Sequence, residues 1–114
     1  EFRRVLFRSN LMTDEGPVRV DIREGDMWML PRNVHHSPQR PEEGSIGIVI
    51  ERIREEGTLE KFVWFCESCH HQVHEVELQV RDIVADLPPV FEQFYASEEA
   101  RTCTSCGALH PGKG

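Results

Sequence analysis

Hydrophobic and polar residues alternate most plainly at Val18, Val20 and Ile22, which are interleaved with Arg19, Asp21 and Arg23. A period of two marks a strand with one buried face. Glu24-Gly25-Asp26 then reads as a turn, and Met27 to Leu30 as a second short strand that ends at Pro31. Pro31 to Gly44 holds Asn33, Pro38 and Pro41 and reads as a loop, and Ile46 to Ile53 reads as a third strand. Glu55-Glu56-Gly57 interrupts the pattern and marks a candidate boundary. Two more strands are predicted over Phe62–Cys66 and Val73–Val80; in the second, Val76, Leu78 and Val80 alternate with Glu75, Glu77 and Gln79. Ile83 to Ala100 has helical character, with Pro88-Pro89 expected to split it and Pro89 suited to the first turn of the second helix. Phe91, Phe94 and Tyr95 recur at i, i+3, i+4 and predict a core face.

The first nine residues differ from the rest, with three arginines against one glutamate. Two readings fit that segment equally: a junction or tag of foreign origin, or a genuine N-terminal strand. Over the whole 114 residues, 20 acidic side chains face 13 basic ones, for a net charge of −7. That sign disfavours nucleic acid as a partner, since phosphate binding needs a basic stripe. A hydrophobic fraction of 39% suits a globular chain. No apolar run approaches the ~18 residues of a membrane span, and Arg3, Arg4 and Arg8 break any apolar stretch that could form a signal peptide. The expected location is the cytoplasm, with no membrane partner.

The four cysteines form two pairs, Cys66-Glu67-Ser68-Cys69 and Cys103-Thr104-Ser105-Cys106. Paired C-x-x-C knuckles in a chain expected to stay in a reducing compartment point to a metal site rather than to disulfides. Four soft, anionic thiolates suit Zn(II) or Fe(II) at the corners of a tetrahedron. Gly107 directly after Cys106 tolerates the positive φ that such a knuckle demands; His70 stands at the equivalent place after Cys69. A closed site of this kind staples a segment too small for a large core, so its role is stability. His70, His71 and His74 are nearby but are expected to be solvated or hydrogen-bonded, not ligands.

A second chemical region runs from Gly25 to Arg40, where a strand ends at Pro31, the chain turns through Asn33, and His36 follows. Asn33 is one of the few non-glycine types at ease in a left-handed conformation. The spacing G-x5-P-x-[G/N]-x-x-H resembles the second motif of the cupin β-barrels, whose terminal histidine is a metal ligand. Further along come P-x-x-V-x-H-S-P-Q-R-P, I-V-I-E-R, W-F-C-x-x-C, D-L-P-P-x-F-x-x-F-Y-x-S-E and C-x-x-C-G-x-x-H-P-G. In that order they resemble the bacterial form of the 3-hydroxyanthranilate 3,4-dioxygenase family over about residues 17–113.

The resemblance implies a mainly β chain: residues 1–9 as a leader, residues 10–60 as the C-terminal part of a cupin barrel, and residues 61–114 as a rubredoxin-like four-cysteine appendage with short helices. It implies Fe(II)- and O₂-dependent ring opening of 3-hydroxyanthranilate to a semialdehyde that closes to quinolinate, a precursor of the nicotinamide ring. By position in the motifs, His36 matches an iron ligand, Arg40 an arginine on the substrate carboxylate, and Glu51 a glutamate at the ring substituents. Cys66, Cys69, Cys103 and Cys106 match the second metal site, for Fe or Zn. His35 stands where the family usually has another residue and is expected to be exposed or to lie behind the ligand. A homodimer is implied for the full-length enzyme.

The residue chemistry is compatible with these roles. An arginine fork accepts a carboxylate bidentately. If the odd positions of the third strand line a barrel, Glu51 is an acid in an apolar wall, where a raised pKa suits proton transfer. Without the resemblance, Glu51 reads as a strand-end carboxylate paired to Arg52 or Arg54, Arg40 as a solvated loop residue, and His36 as a structural histidine. Family members carry a further His and Glu ligand and a second arginine on earlier strands, whereas this sequence has no histidine before His35. One imidazole does not make a facial triad. The chain is therefore expected to be a truncated, inactive form of such an enzyme. The alternatives are a small metal-ribbon binding module and a cupin that binds a ligand without a reaction.

Overall fold

A computed structural model describes residues 3–113; of the leader, Glu1 and Phe2 lie outside the described residues. The chain divides into two compact units, Glu1–Glu51 and Arg52–Gly114. It is mainly β, with two helices in the second unit.

The first unit is built around β1 (Val5–Thr13), so residues 5–9 of the arginine-rich leader are strand. A two-residue turn after Thr13 reverses the chain into β2 (Gly16–Arg23), and the two strands pair antiparallel. The Thr13 hydroxyl closes the turn, donating to the Gly16 carbonyl at 2.7 Å and accepting from the Glu15 N–H at 3.2 Å. Arg8 and Asp21 face each other across the ladder and pair at 2.9 Å. That hydrogen bond is the main reason the Asp21 carboxyl is held below its ordinary pKa. On the other side of β1 lies β3 (His35–Gln39), also antiparallel, so the sheet order is β2-β1-β3. Ser9 and Leu11 of the central strand are buried.

Three expectations for this unit are corrected. The stretch predicted as loop from Pro31 to Gly44 contains β3, which forms because β1 offers its free edge to residues 35–39. Met27 to Leu30 is not a strand, and Met27 is 98% exposed. Ile46 to Ile53 is not a strand either, and Ile50 is 95% exposed. Both stretches have strand-like composition, but among the described residues neither has a ladder partner for its backbone groups. Asn33 does take the left-handed conformation the sequence suggests, with φ 58°.

The second unit starts from the antiparallel pair β4 (Glu60–Phe65) and β5 (Gln72–Leu78), in which Trp64 opposes His74. The helix α1 (Ile83–Ala96) follows. Asp82 caps it by accepting from the Val84 and Ala85 N–H groups, and Asp86 reaches back to the Arg81 and Asp82 N–H groups. Helix α2 (Glu98–Arg101) is capped by Ser97, whose hydroxyl accepts from the Ala100 N–H.

Pro88-Pro89 does not split the helical segment; both prolines lie inside α1, and the break falls at Ser97. The carbonyls that lose a donor to these prolines are those four residues back, at Val84 and Ala85. Both residues are in the exposed first turn, where water can serve them. Phe91, Phe94 and Tyr95 do share the core face. Phe94 is fully buried, stacked on Trp64 with ring centres 4.3 Å apart and flanked by His74 and His110. Phe91 meets Trp64 and Phe62 edge-on.

Burial makes the two apolar sets unequal. Phe94→Ala is expected to cost ~3–5 kcal/mol, whereas Ile48→Lys in the exposed 46–53 stretch is expected to stay within ~0.5 kcal/mol of the parent. Urea denaturation followed by circular dichroism measures both; a large loss from Ile48→Lys would show that stretch to be packed.

Candidate metal centre

Two turns with the same hydrogen bonding hold the cysteines. In the first, at the tip of the β4-β5 hairpin, the His70 N–H donates to the Cys66 carbonyl at 2.9 Å and the Cys66 N–H to the His71 carbonyl at 2.8 Å. In the second, after α2, the Gly107 N–H donates to the Cys103 carbonyl at 2.9 Å and the Cys103 N–H to the Ala108 carbonyl at 2.8 Å. Each turn closes on a residue in the left-handed region: His70 at φ 64° and Gly107 at φ 78°. His70 therefore does what the glycine does, at the steric cost of a Cβ.

The four Sγ atoms lie within 4.8 Å of one another, with no disulfide among them. Two close approaches run between the turns: 3.5 Å for Cys66–Cys106 and 3.6 Å for Cys69–Cys103. A regular tetrahedron with ~2.3 Å metal–sulfur bonds has its sulfurs ~3.8 Å apart. The donors thus stand close to the spacing such an ion requires. Cys66 and Cys103 are 3% and 1% exposed, while Cys69 and Cys106 are exposed. His70, His71 and His74 are not in the donor group; His74 lies against Trp64 and Phe94.

Electrostatics divides the four thiols. The Cys69 and Ser68 N–H groups point at the Cys66 sulfur and pull its pKa from 9.0 to about 6. The Cys106 and Ser105 N–H groups lower Cys103 in the same way, against its burial. At Cys106 the Ala108 N–H also favours the thiolate. The neighbouring sulfurs of Cys66, Cys69 and Cys103, together with desolvation, outweigh it and push the thiol up to about 12. Like charges this close do not all ionise together, and a divalent cation removes the conflict. The four residues fit Zn(II) or Fe(II) in a closed site with no open coordination position.

The other predicted site residues lie in the first unit. His36 is in β3 opposite Leu11, exposed, its Nδ1 3.1 Å from the Val34 carbonyl. His35, opposite Met12, is exposed too. Arg40 follows β3 and lies over the Phe7 ring at 5.7 Å, and its Nε–H donates to the Ser45 hydroxyl at 3.2 Å. Directly opposed residues of a ladder project from the same face. His36 therefore shares the face of the sheet that carries Leu11, Ser9 and Phe7, and Arg40 packs on that same face. Glu51 is placed differently: it is exposed and outside any strand, so the apolar wall expected around it is absent. Ser45 carries no chemical signal of its own in the sequence; only Gly44, directly after Glu42-Glu43, signals a turn that returns the chain toward Arg40.

Four outcomes follow for the cysteine site. Chelation is expected to unfold the two turns, seen as loss of their amide signals by NMR. Because Cys66 is shifted below its ordinary value, its thiolate favours the folded state. That contribution is complete above the ordinary thiol pKa of 9.0 and is lost as pH falls through about 6, so the stability of the metal-free chain in urea denaturation is expected to drop across that range. Adding metal at neutral pH releases the Cys106 proton, which a buffer-dependent calorimetric enthalpy reports. Finally, His70→Gly is expected to stabilise the metal-loaded chain by ~1 kcal/mol and Gly107→Ala to destabilise it by a similar amount; thermal denaturation measures both.

Comparison with known proteins agrees with these observations. The sequence matches the family described as 3-hydroxyanthranilic acid dioxygenase over residues 8–95. It is 56% identical over 104 residues to the 3-hydroxyanthranilate 3,4-dioxygenase of Burkholderia cenocepacia, covering 91% of this chain and 59% of that protein. The proteins of that name from Jannaschia sp. and Shewanella woodyi are 57% and 56% identical, over 82% and 81% of this chain and 52% and 49% of theirs. The chain thus spans between half and three-fifths of the length of the curated relatives it matches. With a match that runs through the sheet, the H-S-P-Q-R strand, the first cysteine pair and helix α1, the chain belongs to the 3-hydroxyanthranilic acid dioxygenase family.

Proposed function

We propose that these residues belong to a 3-hydroxyanthranilate 3,4-dioxygenase, which opens the substrate ring with O₂ at an iron centre. The observation that carries this reading is the family match over residues 8–95, which includes His36 and Arg40 on one face of one sheet. In this reading the first unit is the C-terminal part of a cupin barrel, and the second a rubredoxin-like appendage whose four-cysteine site holds Zn or Fe for stability. A homodimer and a cytoplasmic location are part of the same proposal. Among the described residues no helix is long and apolar enough to cross a membrane.

His36 offers one imidazole, and among the described residues no group of three donors assembles around it. These residues therefore do not by themselves fit a catalytic iron, which takes two histidines and a carboxylate. The roles assigned to this chain are those its own side chains can perform. Arg40 carries a permanent positive charge and a planar fork, and it holds the substrate carboxylate. Glu51 is assigned the phenolic proton by its place in the family motif alone, and removal of that proton makes the ring electron-rich enough to be attacked. The carboxylate anchor fixes which edge of the ring faces His36, and orientation of this kind supplies much of a catalytic advantage.

A second reading, a metal-ribbon binding module with no reaction, rests on the contrast between the complete cysteine cluster and the incomplete donor set at His36. Activity separates the two. The chain alone is expected to be silent with Fe(II), O₂ and 3-hydroxyanthranilate. A chimera that adds the remaining residues of the Burkholderia cenocepacia relative is expected to produce the semialdehyde absorbance. In that chimera Arg40→Ala is expected to raise KM at least tenfold, as loss of a charged hydrogen-bonded pair does. A silent chimera would discard the dioxygenase reading, and an unchanged KM would discard the role of Arg40.

A further inference from the structure

Arg40 is a long side chain with much rotational freedom, and a carboxylate anchor works only if that freedom is removed before the ligand arrives. The segment after β3 supplies the means. Glu42 to Ser45 form a turn closed by the Ser45 N–H on the Glu42 carbonyl at 3.3 Å, with Gly44 at φ 76°. A positive φ at the third position of a turn needs glycine. The turn brings Ser45 back beside the residue five positions before it. Ser45 is 7% exposed. Its hydroxyl donates to the Leu6 carbonyl of β1 at 3.4 Å and accepts the Arg40 Nε–H at 3.2 Å. A hydroxyl has one proton and two lone pairs, so donating toward β1 turns its acceptor side toward the guanidinium.

Building on the reading of Arg40 as the carboxylate anchor, we propose that Ser45 is its positioning residue. Ser45 fixes the guanidinium through Nε, so that Nη1 and Nη2 present an end-on fork to an aromatic carboxylate. Of the described residues, the partners of the Arg40 head group are the Ser45 hydroxyl and the Phe7 ring. Nε is occupied, so the side-on pairing through Nε and one Nη is closed, and the end-on pairing through the two terminal nitrogens remains. The ring beneath holds the guanidinium plane without using an N–H. The chemistry selected is a planar anion approaching along the axis of the side chain.

The test uses the 114-residue chain, labelled with ¹⁵N, and two probes: 3-hydroxyanthranilate, and 2-aminophenol, which lacks the carboxylate. In the parent chain the Arg40 Nε–H signal is expected to be protected from solvent exchange, and 3-hydroxyanthranilate to bind more tightly than 2-aminophenol. Ser45→Ala is expected to abolish the protection and weaken 3-hydroxyanthranilate about tenfold, the size of one hydrogen bond to a charged group. Binding of 2-aminophenol should stay unchanged, and Ser45→Thr, which keeps the hydroxyl, should restore both properties. An Nε–H signal that Ser45→Ala leaves unmoved overturns the proposal, and so does an equal loss for the two probes, which would mark a general collapse of the loop. If the signal responds to Ser45→Ala but the parent chain does not prefer 3-hydroxyanthranilate, the carboxylate reading of Arg40 fails and takes the role of Ser45 with it.

Discussion

Mutual repulsion among four sulfurs confined within 4.8 Å governs the second unit. Backbone N–H groups from within each turn favour the thiolate at Cys66 and Cys103, but the same sulfurs, crowded together, hold the proton on Cys106. The protein has aimed its dipoles at a negative cluster without itself supplying the balancing charge. A divalent cation held by the four sulfurs would supply it and would tie the hairpin of β4 and β5 to the segment after α2. For a unit of some sixty residues, whose buried side chains centre on Phe94, such a staple supplements a core that is small for independent folding.

The placement of the turns explains why the aromatic residues are where they are. Trp64 is the penultimate residue of β4, two before the first cysteine, His74 faces it from β5, and Phe94 fills the gap from α1. His110, shortly after the second turn, closes on the far side of Phe94. The rings thus join the chain on both sides of the metal turns. Packing and sulfur geometry are consequently coupled: a shift of Phe94 would change the distance over which the two knuckles must meet.

In the first unit the organising element is β1, which supplies a pairing edge to β2 on one side and to β3 on the other. The register with β3 puts His36 opposite Leu11, and Arg40 packs on Phe7 of the same strand, so an imidazole and a guanidinium share one face. The Ser45 contact belongs to that face as well. Glu51 does not share this framework, because the stretch that carries it pairs with no strand among the described residues.

The sequence alone determined whatever depends on neighbours along the chain. The C-x-x-C spacing specified both turns, Asn33 the left-handed bend before β3, the alternation at Val76 and Leu78 the inward face of β5, and Phe91-Phe94-Tyr95 the buried side of α1. Each rests on local geometry: a short hydrogen-bonded loop, a permitted φ, a period of two or of 3.6. Only the tertiary structure decided what depends on a partner far away. Apolar composition could not show that Met27–Leu30 and Ile46–Ile53 would join no strand ladder among the described residues, nor that exposed, proline-containing residues 35–39 would pair, since a strand exists only where another offers its hydrogen-bonding edge. Likewise, two prolines could sit inside α1 because the carbonyls they orphan lie in a solvated first turn. The approach of Ser45 to Arg40 was hidden for the same reason: a hydrogen bond is fixed by distance in space, and the one-dimensional pattern carries no distances.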